Sequence, residues 1–348
     1  METKIYKYPT EKEIECIGKM LRDGCVVALP TETVYGLGAN GLDETAMDKI
    51  YQAKGRPSDN PLILHVPSME AVTPLVREIS ETANRLMKTF WPGPLTITLP
   101  KSDLVPYRAT GGLDRVALRC PNHELCRSIL QAAGVPIAAP SANISGRPSP
   151  TSAEAVLHDM KGRIDAIVDA GNCQIGVEST VVEVNDNKVT ILRPGGITKD
   201  MLEKVVDTVV YDTHMVTGNG VPKAPGMKYK HYAPDGEMTT LVGDPLAVAR
   251  EMARMMATLS GPIGLLISQE AYEFLHTMVD VSKVHCIIYG HHQDDTSLAN
   301  KLYASLLEFN KQGVTHILAE GVKSEGMGVA IMNRMEKSSD HRIVIVKK

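Results

Sequence analysis

The rhythm of strands and helices changes once along this chain, across the Gly/Pro-rich stretch 213–236, and that change constrains the fold most. The stretch holds four Gly and three Pro, with no helical or strand period running through it. Beyond it, TTLVG, PIGLLIS, VHCIIYG, THILAEG and RIVIV read as strands. Helices are expected between them at about 245–259, 269–278, 295–312 and 327–338, the last opened by Gly326-Met327-Gly328. Such strict β-α alternation predicts a doubly wound, mainly parallel sheet.

Ahead of the stretch the pattern is less regular. GCVVALP, PLILHV, PLTITL, RVALRC, VPIAA, AIVDA, STVVEV and KVTILR read as strands. Helices are expected over 12–23, from Asp43 to Lys54, within 71–88, and near 122–133 and 152–161. Asp43 is a candidate N-cap, and Ala46, Met47, Ile50 and Tyr51 form an apolar stripe behind it. TETVYGLGANG reads as a loop. Strands outnumber helices and lie close in sequence, which predicts a twisted mixed sheet rather than a regular β-α repeat. The expected organisation is an α/β protein: an N-terminal mixed-sheet domain over 1–208, a linker over 209–237 and a smaller Rossmann-like domain over 238–348. The linker carries Lys223, Lys228, Tyr229, Lys230, His231 and Tyr232, more chemistry than a spacer requires, and is read as an active-site lid.

Bulk properties remove several classes of function. Of 348 residues only three are Phe and one is Trp, so stacking platforms for single-stranded nucleic acid are scarce. The net charge of −4 gives no general positive field for tRNA or other nucleic acid, though a local basic face remains open. Cys16, Cys25, Cys120, Cys126, Cys173 and Cys286 show neither a C-x-x-C pair nor zinc-ligand spacing, and read as reduced thiols of a cytoplasmic protein. The N-terminus lacks an apolar signal-like region, no segment approaches a membrane span, and no metal site is legible among the histidines.

Familiar motifs are absent or false. Gly36-Leu37-Gly38-Ala39-Asn40-Gly41 is a literal G-x-G-x-x-G, but Asp43 caps a helix only after the third Gly, where a dinucleotide fold needs the motif to open the helix. There is no Walker A sequence, and Ser179 sits in GVEST rather than a nucleophile elbow. What remains are polar residues embedded in apolar runs. Lys54-Gly55-Arg56 and Ser141-Ala142-Asn143 each place two polar side chains at i, i+2, which in extended backbone share one side. Two cations and two neutral hydrogen-bonders around one cleft suit a polyphosphate beside a small polar substrate. Thr31, Glu32 and Thr33 follow a strand, Asn60 and His65 flank another, and Arg119 ends a third, where a guanidinium can clamp a carboxylate. Arg193 stands in LRPG.

PTETVYGLGAN, KGRPSDNPL, WPGPLT, APSANISGRPSPT, GVESTVV, LRPG and APGMKYKHYAP occur in this order, and GMGVAIMNR lies near the C-terminus. Together these resemble the threonylcarbamoyl-AMP synthase family in its long form, with a YrdC-like catalytic domain and a C-terminal domain. The resemblance implies condensation of L-threonine, bicarbonate and ATP, carried with Mg²⁺, into L-threonylcarbamoyl-AMP and pyrophosphate. It further implies hand-off to a threonylcarbamoyl-transferase complex that makes t6A in ANN-decoding tRNAs. Carried over by position, Lys54, Arg56, Ser141 and Asn143 correspond to the catalytic set. Arg56, Asn60, Ser141, Ser149, Arg193 and Tyr232 correspond to ATP contacts, and Thr33, His65, Arg119, Ala139 and Ser179 to the threonine pocket. An RNA-binding module and a carbamoyl-transfer maturation factor are the competing readings; the latter would need paired cysteines that this chain lacks.

Overall fold

A computed structural model describes residues 2–213 and 231–347, which fall into two compact units. Residues 2–145 and 149–213 form the first, and 146–148 with 231–347 the second.

The first unit is built on an eleven-stranded sheet, order β1-β8-β2-β3-β7-β4-β6-β5-β9-β10-β11. Its strands are β1 (Lys4–Lys7), β2 (Val27–Leu29), β3 (Gly36–Asn40), β4 (Ile63–His65), β5 (Leu95–Pro100), β6 (Arg115–Arg119), β7 (Ile137–Ala138), β8 (Ala166–Asp169), β9 (Thr180–Asn185), β10 (Lys188–Arg193) and β11 (Thr208–Tyr211). Parallel pairs such as β4–β6 and β5–β9 alternate with antiparallel ones such as β5–β6, so the sheet is mixed. The helices are α1 (Glu11–Arg22), α2 (Glu44–Lys54), α3 (Glu81–Phe90), α4 (Tyr107–Thr110), α5 (Glu124–Ala133), α6 (Ala153–Met160) and α7 (Lys199–Glu203), with a 3₁₀ turn at Glu70–Leu75.

Alternation along the strands sorts the residues into two faces. Leu64, Leu118, Ile97 and Val182 turn one way and pack with Ile50 of α2, Leu86 of α3 and Val156 of α6. Burying each such Leu or Ile side chain contributes about 1.5–3 kcal/mol. On the other face, Val27, Leu29 and Ile137 pack under Leu21 of α1 and Ile129 of α5. That cover stops short of β4, β6, β5 and β9. There the same face carries His65, Arg119, Thr96, Thr98 and Glu183 among the smaller apolar group Ile63, Ala117 and Val181.

Helix α2 begins as expected: the Asp43 carboxylate accepts hydrogen bonds from Thr45 N and Ala46 N, a cap worth about 1 kcal/mol. The region 31–41 differs from its reading as a loop. Gly36–Asn40 forms β3, antiparallel to β2 and β7, which leaves 31–35 and Gly41 outside the strand. Glycine is what this strand needs. A Cβ on Gly38 would lie 3.0 Å from Ile137 Cγ2 and 3.1 Å from Val27 O. The G-x-G-x-x-G string therefore records strand packing. Three edge or terminal elements, β1, α7 and β11, and the single turn α4 were not legible. Because β11 pairs with β10, the expected linker begins inside the first sheet, and most of it, 214–230, lies outside the described residues.

The second unit follows its sequence pattern closely. It contains β12 (Glu237–Val242), α8 (Pro245–Met256), β13 (Ile263–Ile267), α9 (Gln269–Leu275), β14 (His285–Ile288), α10 (Asp295–Lys311), β15 (His316–Glu320), α11 (Gly328–Ser338) and β16 (Ile343–Ile345). All pairings in the sheet β14-β13-β15-β12-β16 are parallel. Leu241, Leu265, Ile267 and Leu318 pack against Val248 and Met252 of α8 and Leu275 of α9. The chain is thus α/β in both units, a mixed sheet followed by a doubly wound parallel one.

Candidate active site

Lys54 is the last residue of α2, and Gly55 ends the helix in the left-handed conformation at φ 60°, so Lys54 and Arg56 are not extended neighbours. Convergence arises differently: the helix C-terminus aims Lys54 at the loop after β7. Its Nζ donates to Ser141 O at 2.5 Å and Asn143 O at 2.6 Å, with Asn143 Oδ1 at 3.5 Å. Ser145 N returns a bond to Lys54 O at 2.8 Å. Ser141 Oγ donates to Asn143 Oδ1 at 2.5 Å, and Asn143 Nδ2 to Ile144 O at 2.8 Å. The two polar pairs thus meet at Lys54. Burial pulls its ammonium well below the usual lysine range, and Arg56 pulls the same way; Asp159 and Glu178 oppose the shift.

Arg56 Nη2 donates to Pro61 O at 3.0 Å. Asn60 is buried beside it, its own carbonyl taking the Tyr51 hydroxyl at 3.2 Å, while Asn60 Oδ1 has no hydrogen-bond donor among the described residues. Pro61 also walls a cavity of about 250 Å³, bounded further by Leu62, Thr98, Thr110, Arg115 and Glu183.

His65 and Arg119 are directly opposed in the β4–β6 register. Burial, with Arg119 adding to it, lowers the His65 imidazole to about 3, and Nδ1 lies 3.2 Å from Ile63 O. This histidine is neutral at pH 7. Arg119 is only 4% exposed and forms an ion pair with the equally buried Glu32, Nη2 to Oε2 2.7 Å. It is an interior ion pair rather than a surface one. Thr33 lies in the same loop as Glu32, its hydroxyl 2.9 Å from Thr31 Oγ1. That loop is held by Ile175 N on Glu32 O at 2.8 Å and Gly176 N on Thr33 O at 3.2 Å. Ala139 follows β7 and donates its N–H to Ile63 O at 2.9 Å, which sets the start of the Ser141 loop against β4.

Ser179 Oγ lies 2.8 Å from Thr96 Oγ1. Arg193 reaches the same residue, with Nε and Nη2 donating to Ser179 O at 3.1 and 2.9 Å, so a group expected on the ATP side abuts one expected on the threonine side. Ser149 donates to Glu178 Oε1 at 2.6 Å. Tyr232 belongs to the second unit and stacks on Tyr303 with centroids 5.3 Å apart. Thr96, Asp159 and Glu178 were not among the expected site residues, and Glu32, singled out with Thr31 and Thr33, had been given no role. The signal for Glu178 was a carboxylate inside GVEST, next to Ser179, which was picked out. Among the described residues no group of three His, Cys, Asp or Glu side chains is arranged to hold a metal ion, and no helix is long and apolar enough to cross a membrane.

Buried cations, hydroxyls and an amide gathered around a mixed sheet mark an enzyme site for a charged substrate. Residues 19–195 match the Sua5/YciO/YrdC family profile, described as telomere recombination, and residues 197–339 match the threonylcarbamoyl-AMP synthase C-terminal domain. The chain is 44% identical over 347 residues to the threonylcarbamoyl-AMP synthase of Pyrococcus abyssi, covering 97% of this chain and 96% of that one. It is 43% identical to the enzyme of the same name from Bacillus subtilis, covering 96% and 95%. The crystal structure of P. abyssi Sua5 complexed with L-threonine superposes with a TM-score of 0.91 at 42% identity, over the full length of both chains. The chain belongs to the threonylcarbamoyl-AMP synthase family.

Proposed function

We propose that this enzyme condenses L-threonine, bicarbonate and MgATP into L-threonylcarbamoyl-AMP and pyrophosphate. The observation that carries the reading is the meeting of Lys54 with the Ser141–Asn143 loop, together with the Arg119–Glu32 pair buried at the end of β6. Arg56 offers positive charge to phosphates, and Arg119 offers a guanidinium to an amino-acid carboxylate.

The chemistry asks for little covalent help. The threonine amine and bicarbonate form a carbamate, whose carboxylate attacks the α-phosphorus and expels pyrophosphate. Alignment and neutralisation of phosphate charge then supply most of the acceleration. Lys54, through its bonds to Ser141 O and Asn143 O, fixes the loop whose hydroxyl and amide face the reacting groups. Arg56 and Arg193 add positive charge. Asn60, Ser149 and Tyr232 correspond by position to the family's nucleotide contacts. Magnesium enters on the triphosphate oxygens as part of the substrate. Thr33, His65, Ala139 and Ser179 enclose the threonine, with Arg119 clamping its carboxylate.

The enzyme works in the cytoplasm, where its six free thiols stay reduced. Its product passes to the transferase complex that forms t6A, and the net charge of −4 favours that hand-off over direct tRNA capture. Residues 1–208 are assigned the chemistry and 238–348 an accessory role. Pyrophosphate release from ATP, with threonine and bicarbonate omitted in turn, tests the reaction. Release should need both; release indifferent to either omission removes the proposal.

A further inference from the structure

Glu32 has more carboxylate than Arg119 uses. The two groups approach to 2.7 Å, yet neither Glu32 oxygen receives a hydrogen bond among the described residues, although both are buried. A buried ionised carboxylate normally gathers two or more donors, and leaving it short of them costs several kcal/mol. Arg119 Nη2 is likewise without a hydrogen-bond acceptor among the described residues. The pair is therefore two half-satisfied charges of opposite sign, side by side. Its complement is a ligand carrying a carboxylate and an ammonium the same short distance apart, which is an α-amino acid.

Accepting the reaction proposed above, we infer that Glu32 binds the threonine ammonium and takes its proton, making the amine nucleophilic toward bicarbonate. In the first step an N–H bond breaks and Glu32 becomes protonated. The free amine pair then forms the N–C bond to the bicarbonate carbon. The C–OH bond breaks, and the hydroxyl leaves as water with a second amine proton. The carbamate remains, and Glu32 returns its proton to solvent. Overall, ammonium and bicarbonate give carbamate, water and one proton.

The neighbours leave this task to Glu32. The titratable groups facing it are Arg119 and Cys120 at the end of β6, His123 and Cys126 at the start of α5, and Cys173 before β9. Burial pushes the thiols of Cys120, Cys126 and Cys173 up to about 11, 12 and 12, so they stay protonated. Burial lowers His123, whose Nδ1 already accepts from Cys126 N at 3.3 Å. His65 lies across the β4–β6 register from Arg119, with Nδ1 3.2 Å from Ile63 O. Lys54 Nζ is enclosed by three backbone and side-chain acceptors that claim its protons.

The test compares Glu32→Gln with wild type in both directions of the reaction. Forward synthesis at pH 7 should fall about 100-fold, as for loss of a general base, and should recover as pH rises past about 8, where the free amine prevails unaided. Wild type should gain less than about threefold over the same range. Pyrophosphorolysis of threonylcarbamoyl-AMP starts from a carbamate already made, so it should fall far less. In wild type, calorimetry should find (R)-3-hydroxybutanoate, which is threonine without its amine, bound about 30-fold more weakly than threonine. Glu32→Gln should narrow that gap. Equal losses in the two directions, or equal binding of the two ligands by wild type, would overturn the role of Glu32. A wild type that shows no threonine-dependent turnover would instead overturn the reaction itself.

Discussion

The two sheets of this protein treat buried charge in opposite ways. In the parallel sheet of the second unit, the central strand β13 is apolar on both faces. Among the described residues of that unit, the fully buried charged groups are Glu320 and Arg334. Glu320 is well served, with Ser268 N at 2.6 Å and His292 Nδ1 at 2.8 Å. In the mixed sheet of the first unit, Glu32, Lys54, Arg56, Arg119, Glu178 and Arg193 are all buried, and Glu32 lacks hydrogen-bond donors among the described residues. Charge buried at a cost to stability marks where a fold is organised for a ligand rather than for itself. A sheet with helices on both faces has no room for such a patch; one whose cover stops at β7 does.

Four substitutions or conditions can break this contrast. The largest effect is expected from Arg56→Ala, which should cut turnover at least about 100-fold while circular dichroism stays that of wild type. Wild-type rates in that variant would take Arg56 out of the site. Next, Arg119→Met should cost about 3–5 kcal/mol in urea unfolding by stranding Glu32, and adding Glu32→Gln should restore most of it. An unchanged midpoint in the single variant would mean that the pair is not a buried charge couple.

A smaller effect comes from pH. The folded state holds His65 near 3 against an ordinary value of about 6.5, so it binds fewer protons than the unfolded chain between those limits. That contribution is complete above pH 6.5 and is lost as pH falls toward 3, amounting to about 2 kcal/mol between pH 7 and 5. His65→Gln should flatten the dependence, and an equal slope in the variant would show that other groups cause it. Smallest of all, Glu320→Gln should lower stability by about 1 kcal/mol and leave turnover within about twofold at 25 °C. A tenfold loss of rate would tie the second unit to the chemistry and erase the distinction.

How much was legible in advance follows the same division. In the second unit every strand and helix could be read from alternation, because a strand buried on both faces is a plain apolar run and its helices carry clear stripes. In the first unit β3 was hidden, since Gly36 and Gly38 look like a turn until Ile137 and Val27 are seen to need the space at Gly38. The convergence of Lys54 with Ser141 and Asn143 was expected, but for the wrong reason: a left-handed Gly55 and a helix end deliver it, not an extended strand. Pairings across 87 residues of chain, as between Glu32 and Arg119 or Ser149 and Glu178 across shorter gaps, have no local signature. Only the topology brings them together. Residues picked singly, such as His65 and Arg119, turned out to be cross-strand neighbours.

The account rests on a carbamate, and not the threonine carboxylate, attacking ATP. Incubation with ¹³C-bicarbonate, threonine and ATP, followed by mass spectrometry of the adenylate, measures this directly. The account predicts an adduct of threonine, one labelled carbon and AMP. An adenylate of threonine carrying no label would contradict it.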